Sequence, residues 1–287
     1  MNKHRILIAG GDMRQIYCAD RLSREFETGT AGFDRDSLPD GMTLPFADKS
    51  SAVRYDCAVL PVPPLDDRGN IYTPCGSEVL TLRAVKELLT EDAVIFAGKV
   101  SEKLKAAFPN HEIADYMLSE ELNIKNAIPT AEGAVQLALE ELPVTLNGLK
   151  VLIVGMGRIG TALVRILQGF GADISAAVHN PRGAAKARLC GVKAVPIKRL
   201  NGNYDLVFNT APRLVFDRNT LEKFGNSTLF IDLASKPGGI DFEAALNLGL
   251  KVIWALGLPG KTAPVTSGEM IAEAVSSMLA ERSGYLE

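Results

Sequence analysis

The chain has 287 residues, 47% hydrophobic and 23% charged, with 26 glycines, 15 prolines, 4 cysteines and a formal net charge of −3. That length suits two ordinary domains with apolar cores and excludes a disordered chain, a collagen and a small disulfide scaffold. The 31 basic residues are outnumbered by 34 acidic ones and form no run. Nucleic acid, which needs a phosphate-neutralising stripe, is therefore not an expected partner.

The first strand is expected over residues 5–9, an Ile-Leu-Ile run closed by Gly10-Gly11 and followed by a helix over 14–23. The run is too short for a secretory signal, and no segment holds the roughly 20 uninterrupted apolar residues of a bilayer span. A soluble, cytoplasmic protein with no membrane partner is expected. Cys18, Cys57, Cys75 and Cys190 form no Cys-x-x-Cys pair, so reduced thiols and no metal site are expected.

Further strands are expected over 57–60, 93–97 and 112–115, with helices over 76–88 and 102–108. The loop from Pro61 through Asn70 follows a strand's carboxyl end, the side on which parallel sheets bind ligands. Pro129-Thr130-Ala131-Glu132-Gly133 reads as a helix start with Thr130 as N-cap, and Pro143 with the Asn147-Gly148 turn as its end.

From residue 150 the alternation is regular. Strands are expected over 150–154, 174–178, 193–196, 205–209, 228–232 and 250–254, with helices over 158–170, 184–189 and 242–247, and a last helix over 266–280. Such alternation builds doubly wound parallel sheets through right-handed crossovers. The expected fold is α/β, with two Rossmann-like domains and an interdomain cleft. Residues 1–128 form a flavodoxin- or Rossmann-like substrate domain, 129–147 a connecting helix, and 148–264 an NAD(P)-binding domain. Residues 265–287 form a helix packing back on the first domain.

Gly155-Met156-Gly157-Arg158-Ile159-Gly160 stands directly after a buried strand and at the first turn of a helix. In that setting the glycines permit a tight turn, close approach of a pyrophosphate and helix–strand packing, with helix N–H groups aimed at the phosphates. The second strand ends in His179-Asn180-Pro181-Arg182, without the carboxylate that binds the NAD ribose, and Asn180 and Arg182 suit a 2′-phosphate. NADP is expected, with NAD the alternative. In the first domain Asp12 falls where Gly157 stands in the second, so phosphate is repelled there, and Arg14 and Gln15 are left for a substrate.

None of the three histidines, His4, His111 and His179, is placed as the general base of an alcohol oxidation. The polar groups concentrate in Asp232-Leu233-Ala234-Ser235-Lys236-Pro237-Gly238-Gly239 and in the stretch 255–264 with Lys261 and Thr262; two lysines, hydroxyls and open backbone N–H groups suit an anion. Asn209-Thr210-Ala211-Pro212 is expected to line the cofactor's ribose and nicotinamide, with His179, Asp232 and Leu233 as further cofactor-binding candidates.

With the Gly10-Gly11-Asp12-x-Arg14-Gln15 turn, Pro129 to Ala134, the glycine fingerprint, Asn209-Thr210-x-Pro212, Asp232 to Gly239 and Gly257-Leu258-Pro259-Gly260-Lys261-x-Ala263-Pro264, the sequence resembles the dipicolinate synthase A-subunit family. The resemblance implies NAD(P)-dependent oxidation of dihydrodipicolinate, derived from hydroxy-tetrahydrodipicolinate, to pyridine-2,6-dicarboxylate during sporulation. It also implies that the partner is the flavoprotein-like dipicolinate synthase B-subunit and, with the two-domain plan, a homo-oligomer. A ring oxidation removes a C–H hydride with aromaticity as driving force, so the missing histidine base is consistent. In this reading Lys236 and Ser235, the candidate catalytic residues, hold one carboxylate of a small dicarboxylate substrate. Arg14, or Thr130 with its helix N-terminus, holds the other. The alternatives are a 2-hydroxyacid dehydrogenase, which lacks its His base here, and a non-catalytic nucleotide-sensing role, which would keep the same glycines.

Overall fold

The computed structural model describes residues 4–47 and 50–282; residues 1–3, 48–49 and 283–287, the last belonging to the expected C-terminal segment, lie outside the described residues. The chain divides into two compact units, Met1–Asn126 with Ala263–Glu287, and Ala127–Thr262.

The first unit opens with β1 (Arg5–Ala9), α1 (Met13–Ser23), β2 (Glu27–Ala31), β3 (Tyr55–Val59), α2 (Leu82–Lys86), β4 (Leu89–Ala97), α3 (Glu102–Ala107) and β5 (Ile113–Asp115). The five strands are parallel in the order β2-β1-β3-β4-β5. Ile6 and Ile8 enter one core with residues of α1, while Leu7 and Ala9 enter another with Val85 and Leu104. Being covered on both faces is why β1 reads as an unbroken apolar run.

The edge strand β2 is absent from the sequence expectation, because Glu-Thr-Gly-Thr-Ala carries no apolar signal. Its five-residue register with β1 holds it, and Gly29 makes room for the Tyr55 ring, whose hydroxyl lies 2.0 Å from where a Cβ would stand. The helix expected over 76–88 contracts to α2, five residues capped by Thr81. The Asp34 carboxylate accepts from both the amide and the hydroxyl of Ser77, tethering the preceding stretch in another conformation.

A second difference concerns the connecting helix. One helix, α4 (Glu120–Glu141), runs through Pro129, and its start is capped by Ser119, whose hydroxyl accepts from Leu122 N at 3.2 Å. Thr130 is thus a helix-interior residue, 8% exposed, and not an N-cap; no helix N-terminus exists there to hold a carboxylate. The proline removes one donor and crowds a carbonyl. That cost is offset by the buried positions on either side, Leu122, Ala127, Ala131, Ala134, Val135 and Ala138.

The second unit continues with β6 (Lys150–Val154), α5 (Arg158–Gly169), β7 (Asp173–Val178), α6 (Pro181–Leu189), β8 (Lys193–Pro196), β9 (Leu206–Asn209), α7 (Arg218–Leu221), β10 (Leu229–Asp232), α8 (Phe242–Asn247), β11 (Lys251–Trp254) and α9 (Leu258–Thr262). Its six parallel strands are ordered β11-β10-β9-β6-β7-β8. Val151 and Ile153 pack with α5 and the second half of α4, while Leu152 and Val154 pack with residues of α7 and α8. The chain then returns to the first unit as α10 (Pro264–Arg282), whose Gly268 lets it approach α1 so closely that a Cβ there would lie 2.4 Å from the Arg14 carbonyl oxygen. Among the described residues no helix is long and apolar enough to cross a membrane.

Candidate functional site

Parallel strands bring their carboxyl ends to one edge, so the second unit gathers on that edge the turns after β6, β7, β9, β10 and β11. Strand order reverses between β6 and β9, where doubly wound sheets bind ligands.

Each fingerprint glycine has its own reason. Gly155 has φ +95°, and a Cβ there would meet the Thr210 hydroxyl at 2.7 Å; that hydroxyl donates to the Val154 carbonyl and joins the two turns across the reversal point. At Gly160 a Cβ would stand 2.0 Å from the Gly155 carbonyl oxygen. Gly157 is different, for nothing lies within 4 Å of its missing side chain, and as N-cap of α5 it supplies no capping side chain. A strand-to-helix turn that leaves open space at its central glycine fits a dinucleotide pyrophosphate. Met156 is buried in the core and contributes backbone, Ile159 packs partly against the core, and Arg158 is exposed at the first helical position.

The first unit's glycine turn is filled from within. Asp12 caps α1 by accepting from Arg14 N at 3.0 Å, and its carboxylate also takes the Arg14 guanidinium at 2.8 Å. Burial works against that guanidinium, but the hydrogen bond and charge of Asp12 outweigh it, and the Arg14 pKa is raised. An internal anion already occupies the end of α1 that a phosphate would need.

At the end of β7 the three predicted residues are exposed. Asn180 caps α6 by accepting from Gly183 N at 2.8 Å and faces His179 Nε2 through its Nδ2. Arg182 makes no ion pair among the described residues.

The turns after β9 and β10 require a correction. Asn209 and Asp232, expected to touch the cofactor, are both 0% exposed. Asn209 Nδ2 donates to Asp232 and to the Ala211 carbonyl, and its Oδ1 accepts from Ala211 N; Asp232 also accepts from Ala234 N and Gly239 N. Both side chains are consumed in shaping the turns. Leu233 is likewise a core residue, 7% exposed. Trp254 Nε1 donates to the Ala234 carbonyl at 3.0 Å, fastening the same loop to β11. What this frame leaves outward is Ser235-Lys236-Pro237, all exposed, with the Lys236–Pro237 peptide cis. Lys261 and Thr262 lie not in a loop but on the one-turn helix α9. Lys261 is exposed, whereas the Thr262 hydroxyl lies against Gly133 of α4, 2.5 Å from where a Cβ would be.

Of the three histidines, His4 and His111 belong to the first unit and His179 to the turn after β7. His4 pairs with Asp56 at 3.2 Å, ahead of β1; His111 lies within hydrogen-bonding distance of the Thr90 carbonyl and stacks edge-on against Phe108; His179 sits beside Asn180.

Residues 5–118 match the family described as the N-terminal domain of the dipicolinate synthase A-subunit, and residues 126–248 match the D-isomer specific 2-hydroxyacid dehydrogenase, NAD binding domain. The chain is 30% identical to the dipicolinate synthase A-subunit of Bacillus subtilis (strain 168), across 96% of both sequences. The chain belongs to the dipicolinate synthase A-subunit family. Crystal structures of that family superpose closely. The one from Bacillus halodurans gives a TM-score of 0.87 at 28% identity, covering 96% of this chain and 98% of that one; the one from Bacillus subtilis gives 0.86 at 28%, covering 99% and 98%. As a member of the family with a dehydrogenase NAD-binding unit, the chain has a dehydrogenase-type role and a nicotinamide dinucleotide cofactor.

Proposed function

We propose that this chain is the NADP-dependent oxidoreductase component of a dipicolinate synthase, oxidising dihydrodipicolinate, formed from 4-hydroxy-tetrahydrodipicolinate, to pyridine-2,6-dicarboxylate. The observation that carries the reading is the likeness to the Bacillus subtilis protein across nearly the whole chain, joined to a glycine turn left open at Gly157. The cytoplasm of a sporulating mother cell, a homo-oligomer and partnership with the flavoprotein-like B-subunit belong to the same reading.

Bound NADP⁺ supplies the hydride acceptor. The open turn at Gly157 and the first turn of α5 receive its pyrophosphate, and Arg182, exposed and without an ion partner among the described residues, pairs with the 2′-phosphate. Lys236 and Ser235 take one substrate carboxylate from a loop that Asp232 and Trp254 hold still, with Lys261 and Thr262 on the neighbouring turn as further donors. Arg14 and Gln15 are the substrate-binding candidates of the first unit in the same reading. Ring oxidation yields an aromatic product, so a histidine base is not required of a chain whose histidines lie against Asp56, the Thr90 carbonyl and Asn180. The same fact weighs against a 2-hydroxyacid dehydrogenase.

The test mixes the purified chain, with and without its flavoprotein-like partner, with NADP⁺ or NAD⁺ and freshly generated hydroxy-tetrahydrodipicolinate, following pyridine dicarboxylate and reduced nicotinamide together. Equal growth of both signals, faster with NADP⁺, is expected. Pyridine dicarboxylate without reduced nicotinamide under exclusion of oxygen would make the nucleotide regulatory, and no signal with both proteins present would overturn the reaction.

A further inference from the structure

We propose that the turn between β1 and α1 selects a ring nitrogen flanked by a carboxylate, with Arg14 taking the carboxylate and the Gln15 amide facing the nitrogen. The proposal rests on the ring-oxidation reading above and deepens it by assigning what distinguishes a nitrogen heterocycle from any other dicarboxylate.

Three observations lead there, all within the first unit. Gln15 is 2% exposed, and neither its Nε2 nor its Oε1 has a hydrogen-bond partner, although both atoms are closed off from solvent. A buried amide with both atoms unmet is costly, and methionine or leucine would fill the same space without that cost. Its side chain runs past Gly11, where a Cβ would stand 2.2 Å from Gln15 Cγ and 3.0 Å from Pro61 Cβ, and so lies between the turns that follow β1 and β3. Those neighbouring strands are where the order β2-β1-β3-β4-β5 reverses, the place where a parallel sheet opens its crevice.

Arg14 is the second observation. Its Nε and Nη2 are committed to Asp12 and to the Val62 carbonyl, which fixes the plane of the guanidinium, while Nη1 has no hydrogen bond among the described residues. A guanidinium held in this way, with its Nη1 N–H groups to spare, is placed to donate to a carboxylate oxygen.

The third is the charge balance. With the Asp12 carboxylate bonded to Arg14 at 2.8 Å, the turn is a poor seat for a bare anion. With the arginine charge already compensated, attraction to an anion gives little selectivity, and the distinction between ligands falls to the nitrogen that Gln15 faces beside the carboxylate held by Arg14. The amide also matches both sides of the reaction. Rotated about its last bond, Gln15 accepts from a ring N–H through Oε1, or donates to an aromatic ring nitrogen through Nε2.

The test measures binding to the full chain by calorimetry, using pyridine-2,6-dicarboxylate against benzene-1,3-dicarboxylate, which keeps both carboxylates and lacks the nitrogen. The wild-type chain is expected to prefer the pyridine by about tenfold. Gln15→Met should bring the two ligands within about twofold by weakening the pyridine alone, and should leave the ligand-free Tm equal or higher, since an unmet amide is gone. Arg14→Gln should weaken both ligands alike. Equal wild-type affinities, or selectivity that survives Gln15→Met, would overturn the proposal. A result in which neither aromatic ligand binds but a cyclic α-amino acid such as pipecolate does, with the same dependence on Gln15, would support the site while removing dipicolinate as the product.

Discussion

Asn209 and Asp232 stand opposite each other in the register of β9 and β10, with Asn209 Nδ2 donating to Asp232 Oδ1 at 2.7 Å, and neither exposes any surface. The pair ties two ligand-facing turns to the sheet, since Asp232 also receives Ala234 N and Gly239 N. Asp232→Ala should therefore strand three donors and cost about 3 kcal/mol or more, read as a lower urea midpoint. Asp232→Asn keeps the shape but sets an amide against Asn209, and should lose roughly half as much.

The fingerprint glycines separate binding from folding. Gly157→Val meets open space at an ordinary backbone conformation, so the loss of stability should stay near the roughly 1 kcal/mol that an apolar residue costs at an N-cap while NADP affinity falls by about tenfold or more. Gly160→Ala drives a methyl into the Gly155 carbonyl and should destabilise by about 1–3 kcal/mol before any ligand is added. If both variants behave alike in thermal melts, the division of roles is wrong.

Cofactor choice should follow Arg182. Arg182→Ala is expected to weaken NADP⁺ by about tenfold, the loss of one charge-assisted contact, and to leave NAD⁺ within about twofold. Titration of intrinsic fluorescence with each cofactor reads both values, and equal losses would assign the arginine to something other than the 2′-phosphate.

The four thiols should sort by burial. Cys18 and Cys57 are 0% and 1% exposed, and burial pushes both thiols far above their ordinary pKa, whereas Cys75 and Cys190 are partly exposed. An aromatic disulfide reagent at pH 8 should modify Cys190 and Cys75 in the native chain and reach the other two only after unfolding, because the thiolate is the reacting form. The raised pKa of Cys75, from burial and the Asp12 charge, should make it the slower of the accessible pair.

Much of the fold is legible from residues alone where apolar runs and glycines carry the architecture, as at β1, β6 and the turn of Gly155, Gly157 and Gly160. The differences arise where tertiary packing overrides a local signal. Pro129-Thr130 has the grammar of a helix start, yet the cap is Ser119, and the signal that marks it is Ser119 followed by the acidic first turn Glu120-Glu121. Asn209 and Asp232 sit where ligand-binding residues are expected, and only their mutual hydrogen bond reveals a framing role. Strand β2 is not readable from its own composition, because its place depends on the register offered by β1.

Helix α10 places Ile271, Ala272, Val275 and Leu279 in the same core as Ile6, Ile8 and Val59, so the first unit is completed by residues that leave the ribosome after the whole of the second. Residues 127–262, by contrast, emerge as a contiguous stretch. During synthesis the nucleotide-binding half can thus reach its native state while the half begun earlier still shows α1 uncovered. A nascent chain halted before Ala263 should expose Ile16, Cys18 and Leu22 to chaperones and proteases, which makes the order of translation the reverse of the order of folding.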